Sequence, residues 1–371
     1  MKLQDTPQYL KTSLESLFWP PHSKLFIKGD HANWSLYWDA VELTTICRQL
    51  GIPVINSKYR RLMKNQCFFN MSRYEFLENW EKPDCRIAFP YYHGNPAHDE
   101  GSRKMLQTIS QHHNDIDRIQ VSCRFMEEVI LNTGIAREKV FLIPIGINRN
   151  YFTPTTPSLK AEVRKELGIP QQAVVIGSFQ KDGNGWQEGL EPKLIKGPDI
   201  FLKTLSILTA DIPELFVLLT GPARGYVKKG LDAMQIPYTH RLLNDYTEIS
   251  RYYNALDAYI ISSRDEGGPK AVLEAMASGI PLISTKVGQA TDLIRHGENG
   301  FLAEIEDAEA LAHWTGKMLQ DSSLRKTCIN NGIDTLLAAT IHTQEHLTAG
   351  LFSHEQPRTV PAQPERNTAE A

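Results

Sequence analysis

Two glutamates, Glu266 and Glu274, flank the run Gly267-Gly268-Pro269-Lys270. A carboxylate accepts hydrogen bonds and donates none, so such a pair suits the gripping of sugar or ribose hydroxyls and repels phosphate. The turn between them does the opposite. Pro269 at a first helical position and Gly279 just past a helix end bound a short helix. Its N-terminus presents unpaired N–H groups and a positive dipole, and the glycines let a ligand approach the backbone, so a diphosphate fits between two sets of hydroxyls. At roughly 100° per residue, Lys270, Glu274 and Ser278 share one side of this helix, and Val272, Ala275 and Met276 the other. A solvated stripe with a Lys–Glu surface pair is the plainer account of the first set on an average helix. Its place beside a glycine turn favours a ligand.

Such a loop needs a strand to aim it and a helix to carry the chain away. Short apolar runs recur at Leu25-Phe26-Ile27, Pro53-Val54-Ile55, Ile87-Ala88-Phe89, Ile119-Gln120-Val121 and Val140 to Ile143, with helical stretches between them, including Leu36 to Leu50 and Arg124 to Asn132. That alternation predicts parallel β-α-β layers. The Pro- and Thr-rich piece from Tyr151 to Pro157 reads as a boundary. A second series follows, with strands at Val174 to Ile176, Phe216 to Leu219, Tyr259 to Ile261 and Pro281 to Ile283, and helices at Pro198 to Leu208, Tyr246 to Leu256 and Pro269 to Ser278. The fold class is therefore α/β: two Rossmann-like, doubly wound parallel-sheet domains, 1–150 and 151–352, the second ending in helices. Residues 353–371, polar with three prolines, are expected to be a disordered tail. Ligands of such sheets bind at the carboxyl ends of the strands, here in the cleft between domains.

The run from Ser263 to Pro281 resembles the Glu-x7-Glu region of retaining, GT-B-fold glycosyltransferase family 4. The resemblance continues through Val287-Gly288, Asp292-Leu293-Ile294 and Asn299-Gly300-Phe301-Leu302, and covers about residues 85 to 310. It implies that Glu266 meets hydroxyls of the transferred sugar and Glu274 the ribose, with backbone amides around Gly267 to Lys270 serving sugar and diphosphate. Lys196-Gly197 matches the family's diphosphate-neutralising lysine, and Lys181 stands where an arginine is common, before a long polar loop from Asp182 to Glu191. A cation beside a helix start opposes the dipole and so marks an anion site. His93, in Tyr92-His93-Gly94-Asn95-Pro96, matches a histidine that contacts the transferred sugar. Arg241 and Leu243, in Arg241-Leu242-Leu243-Asn244, fall on the nucleobase loop. Gly29 to Trp34 stands at a diphosphate loop, where Asn33 and Trp34 suit an acceptor instead. Glu266, Lys196 and His93 are thus the expected catalytic set. The resemblance implies transfer of a hexose-type sugar from a UDP- or GDP-linked donor with retention, to a glycan or lipid-linked acceptor in cell-surface polysaccharide or glycolipid synthesis, with neither cofactor nor metal. A non-catalytic nucleotide-sugar sensor would carry the same donor features.

With 40 basic and 43 acidic residues and a formal charge of −3, the chain lacks the cationic excess of a nucleic-acid binder. Five cysteines without C-x-x-C spacing suit reduced thiols, and neither a signal peptide nor a membrane span is expected, so the protein is expected in the cytoplasm. Lys58-Tyr59-Arg60-Arg61 with Lys64 could touch an anionic membrane surface peripherally, or form a solvated helix face. Gly183-Asn184-Gly185 with Gly189 mimics a dinucleotide fingerprint but has the wrong spacing, and Asp115-Ile116-Asp117 mimics a metal motif.

Overall fold

A helix start and stop written into the sequence show how the second half is built. The Thr156 hydroxyl accepts from the Leu159 N–H at 3.2 Å, Pro157 occupies the first turn, and Gly168 ends the helix in the left-handed region at φ 69°. This is α6 (Pro157–Leu167), the entry to the second domain. The computed structural model describes residues 6–29, 35–56, 64–78, 80, 84–97, 99–340 and 352. Asn33, Trp34, the run from Lys58 to Arg61 and the tail 353–371 lie outside them.

The first half runs α1 (Thr6–Ser16), β1 (Leu25–Lys28), α2 (Ser35–Gln49), β2 (Val54–Asn56), β3 (Cys67–Asn70), α3 (Arg73–Leu77), β4 (Arg86–Pro90), α4 (Glu100–His112), β5 (Arg118–Val121), α5 (Arg124–Leu131) and β6 (Val140–Leu142). Its six strands order as β2-β1-β3-β4-β5-β6, each pair parallel. After α6 come β7 (Val174–Phe179), α7 (Pro198–Leu208), β8 (Leu215–Thr220), α8 (Gly225–Ala233), β9 (Tyr238–Arg241), α9 (Ile249–Tyr253), β10 (Ala258–Ile261), α10 (Ala271–Ala277), β11 (Leu282–Thr285), α11 (Gln289–Leu293), β12 (Phe301–Ala303), α12 (Ala308–Gln320) and α13 (Ser322–Thr340). The second sheet orders as β12-β11-β10-β7-β8-β9, again parallel throughout. Both sheets are the doubly wound kind expected.

Alternation across the pleat divides the second core in two. Val175, Leu218, Tyr259 and Ile261 face one hydrophobic layer, and Ile176, Val217, Leu219 and Ile260 the other. Covering both faces with helices requires crossovers, and the reversal of strand order between β7 and β10 leaves a gap at their carboxyl ends.

Two local expectations change. The helix expected from Pro269 begins at Ala271, because Pro269 and Lys270 form a preceding turn in which Pro269 accepts from the Val272 N–H at 3.1 Å. The helix expected from Tyr246 to Leu256 divides into a 3-10 turn at Tyr246–Glu248 and α9. Asp117 is a structural cap, its carboxylate accepting from the Ile87 N–H at 2.6 Å. No helix among the described residues is long and apolar enough to cross a membrane.

Candidate active site

The gap at the β7/β10 switch opens into a cavity of about 510 Å³. Loops from the ends of four strands line it: Phe179, Gln180 and Lys181 after β7, Thr220 to Pro222 after β8, Leu242 to Tyr246 after β9, and Glu266 with Gly268 to Ala271 after β10. Lys193 and Lys196 enter from the segment before α7, and Glu274 from α10.

Glu266 and Lys196 meet directly. The Lys196 ammonium lies 2.5 Å from Glu266 Oε1, which also accepts from the Ser263 hydroxyl at 3.0 Å. Lys196 is held by a tight backbone approach: Gly197 has φ 61°, and a Cβ there would lie 1.8 Å from the Ser262 carbonyl oxygen. A sugar hydroxyl and an anion arriving together could replace the two halves of this pair.

The solvated-stripe account of Glu274 and Lys270 is overturned. Glu274 is 3% exposed, accepting from the Tyr253 hydroxyl at 2.8 Å and from the Tyr246 hydroxyl. Burial pushes its carboxyl pKa up against the pull of those hydrogen bonds and of Lys270. Lys270 does not pair with Glu274. Its ammonium pairs with Asp39, on α2 of the first domain, and sits 4.8 Å from the centroid of the Tyr246 ring. The cause is closure of the domains, which brings α2 against the Glu266–Lys270 loop.

The glycines also serve a purpose other than the one expected. A Cβ on Gly267 would fall 1.1 Å from the Tyr92 carbonyl oxygen, and one on Gly268 would fall 2.6 Å from Ile145 Cδ1. Gly267 does not line the cavity; it lets the first domain dock. Gly268 and Pro269 do line it.

His93 stands at this docking surface, outside the cavity lining. The Arg73 guanidinium donates to the His93 carbonyl and lies 3.2 Å from Nδ1. His93 is exposed by surface area, yet the crowding of protein around its ring, followed by the Arg73, Lys196 and Lys193 charges, lowers its pKa to about 3. The ring is therefore neutral. Arg241 is corrected more plainly: it is exposed at the end of β9, its guanidinium turned back to the His240 carbonyl at 3.3 Å, while Leu243 lines the cavity. An edge strand runs one residue further than the expected loop and carries Arg241 outward. Lys181 lines the cavity with its ammonium 4.0 Å from the Trp186 ring centroid. Asp39, Tyr246, Tyr253 and Lys193 escaped sequence reasoning. The first three are partners supplied by remote elements, and only Lys193, three residues before Lys196, left a local signal.

Residues 190–335 match the family described as Glycosyl transferases group 1. That stretch contains Lys193, Lys196, Asp245, Glu266, Lys270 and Glu274, every charged residue of the cavity lining except Lys181. Among curated relatives, the lipopolysaccharide core biosynthesis mannosyltransferase LpsB of Rhizobium meliloti is 26% identical over 57% of this chain and 60% of its own length. A D-inositol 3-phosphate glycosyltransferase of Corynebacterium urealyticum is 25% identical over 51% of this chain and 45% of its own. The chain thus spans less than two thirds of either relative. The crystal structure of Anabaena Alr3699/HepE in complex with UDP-glucose superposes with a TM-score of 0.70 at 17% identity, covering 90% of this chain and 100% of that one. Sucrose-phosphate synthase from Thermosynechococcus elongatus gives 0.66 at 16%, covering 89% and 98%. These likenesses identify the fold, two parallel-sheet domains in the GT-B arrangement.

Proposed function

We propose that this protein is a retaining glycosyltransferase of the family 4 type, moving a hexose-type sugar from a UDP- or GDP-linked donor to a glycan or lipid-linked acceptor. The observation that carries the reading is the convergence of Glu266, Glu274 and lysines on one cavity at the switch point of the group 1 region. Relatives named for lipopolysaccharide core and inositol phosphate glycosylation, and a neighbour solved with UDP-glucose, support it.

In this reading Glu266 orients hydroxyls of the transferred sugar and Glu274, through lone pairs its two tyrosines leave open, the ribose. Lysines stabilise charge growing on the departing diphosphate. The acceptor hydroxyl oxygen bonds to the anomeric carbon as the carbon–phosphate oxygen bond breaks, and the acceptor proton passes to that leaving oxygen on the same face. His93, neutral and held by Arg73, offers a hydrogen bond without charge. Lysines and amides replace a metal, so excess chelator leaves turnover unchanged. Free thiols at all five cysteines suit a reducing cytoplasm, with peripheral membrane contact where the acceptor is a lipid.

The test is donor turnover with UDP- and GDP-hexoses, with the anomer of the released or transferred sugar read by NMR. Retention is expected, with turnover falling sharply in Glu266→Ala. Inverted product overturns the mechanism, and the absence of both nucleotide binding and turnover overturns the class.

A further inference from the structure

Arg73, the first residue of α3, is 4% exposed and forms an ion pair with no described carboxylate. Aromatic rings hold it instead. Its guanidinium carbon lies 4.4 Å from the Tyr91 ring centroid and 4.9 Å from that of Tyr74, whose hydroxyl accepts from Nη2 at 3.2 Å. The Asp99 carboxylate feels the charge but accepts from the Gly101 and Ser102 N–H groups at 3.1 and 2.9 Å and from the Ser102 hydroxyl. Burying a cation without a carboxylate beside it is costly, and what this one reaches is His93.

Arg73 grips that residue at backbone and ring together. The guanidinium donates to the His93 carbonyl, and Nη2 lies 3.2 Å from Nδ1. Gly94 permits the approach: its φ is 120°, and a Cβ there would lie 2.8 Å from Arg73 Nη1 and 2.2 Å from Ser102 Oγ. A guanidinium offers only N–H donors and keeps its proton, so Nδ1 must be the accepting, unprotonated nitrogen. The ring proton then sits on Nε2, to which no described residue hydrogen-bonds. Crowding by protein opposes a second proton on the ring, as do the Arg73, Lys196 and Lys193 charges, against the pull of Asp99. A carboxylate at Nδ1 would do the reverse, accepting from Nδ1–H and leaving Nε2 free to act as a base.

We infer that Arg73 is the positioning residue of His93: it fixes the ring as the Nε2–H tautomer, making it a hydrogen-bond donor to an oxygen of the bound sugar and not a base toward the acceptor hydroxyl. The inference rests on the sugar-transfer reading and deepens it. With one ring nitrogen occupied by Arg73 and the other already protonated, the acceptor proton has no route through His93.

Two measurements on the full chain test it. In nitrogen NMR spectra of histidine-labelled protein at neutral pH, with the His93 signals assigned by their loss in His93→Gln, Nδ1 is expected to be unprotonated and Nε2 protonated. In donor turnover, Arg73→Met is expected to lower kcat about ten-fold or more while the donor KM stays within about two-fold, because the ring loses its aim and the cavity keeps its lining. Arg73→Lys, which keeps a donor, recovers part of the loss. The same Arg73→Met change made in His93→Ala is expected to cost less than about two-fold, since Arg73 acts through a ring already gone. Equal losses in the two backgrounds overturn the inference and make Arg73 a structural cation of the first domain. A parent that turns over donor but carries its His93 proton on Nδ1 overturns the inference alone. A parent that turns over no donor overturns the transfer reading, and this inference with it.

Discussion

Glu274 is an acid enclosed by α10, α9 and the Tyr246 turn, and its raised pKa makes its charge a cost to the fold. An acid whose folded pKa lies above the ordinary 4.5 contributes stability fully below that value and loses it as pH rises through the raised one. Glu274→Gln, uncharged throughout, is therefore expected to gain melting temperature relative to the parent as pH rises above 4.5 while losing nucleotide affinity. A pH-independent difference would contradict the burial argument. His93 carries the opposite sign. Its folded pKa of about 3 lies below the ordinary 6.5, so its contribution is present above 6.5 and lost as pH falls toward 3. The profile of kcat/KM should consequently show no His93 inflection between about pH 5 and pH 8, and His93→Gln should leave its shape unaltered. Removing Glu266, whose hydrogen bonds would be charge-assisted, should lower kcat/KM about 10- to 100-fold in Glu266→Gln, measured by donor turnover. Glu266 and Glu274 were legible because their spacing is local, and Lys196 because Lys196-Gly197 resembles the family's diphosphate motif. Tyr253 and Asp39 were not, because 21 residues separate Tyr253 from the Glu274 it binds, and Asp39 lies in the other domain.

Nine of the twelve strands announce themselves as apolar runs because parallel strands covered on both faces need them. The other three share a different physics. β9 is a half-buried edge strand, Tyr-Thr-His-Arg, and β12 is a three-residue edge, so neither needs a continuous apolar stretch. β3 is central, yet only Phe68 and Phe69 mark it between Cys67 and Asn70. Loop geometry was less legible still, since Gly197, Gly267 and Gly288 answer to backbones that approach from elsewhere. Gly197 joins the Lys196 turn to α7 and presses on β10's exit at Ser262. Gly197→Ala must both hold a left-handed conformation and push that contact apart. A loss of at least about 1–2 kcal/mol is expected by denaturant titration, with nucleotide affinity falling as Lys196 is displaced. An unchanged midpoint would mean that this turn yields at no cost.

Every residue lining the cavity belongs to the second domain, whereas His93 and Asp39 reach the site only because the domains meet. The meeting surface is polar and specific: the Arg124 N–H donates to Asp292 at 2.9 Å, the Ile145 N–H to Gln289 at 3.0 Å, the Asn95 N–H to Asp265 at 3.3 Å, and Asp39 pairs with Lys270. Donor binding and domain closure are therefore separable properties, and Gly267 is where they can be separated. A methyl group on Gly267 collides with the Tyr92 carbonyl while leaving the cavity lining intact. Gly267→Ala is expected to bind UDP or GDP within about three-fold of the parent, because no lining side chain changes. Its turnover should fall about 100-fold, the scale on which misplacing reacting groups by an ångström acts. Small-angle scattering should show a larger radius of gyration than the parent with nucleotide bound. If affinity and turnover instead fall together with no change in dimensions, the glycine acts on the donor itself and closure has no separate part in catalysis.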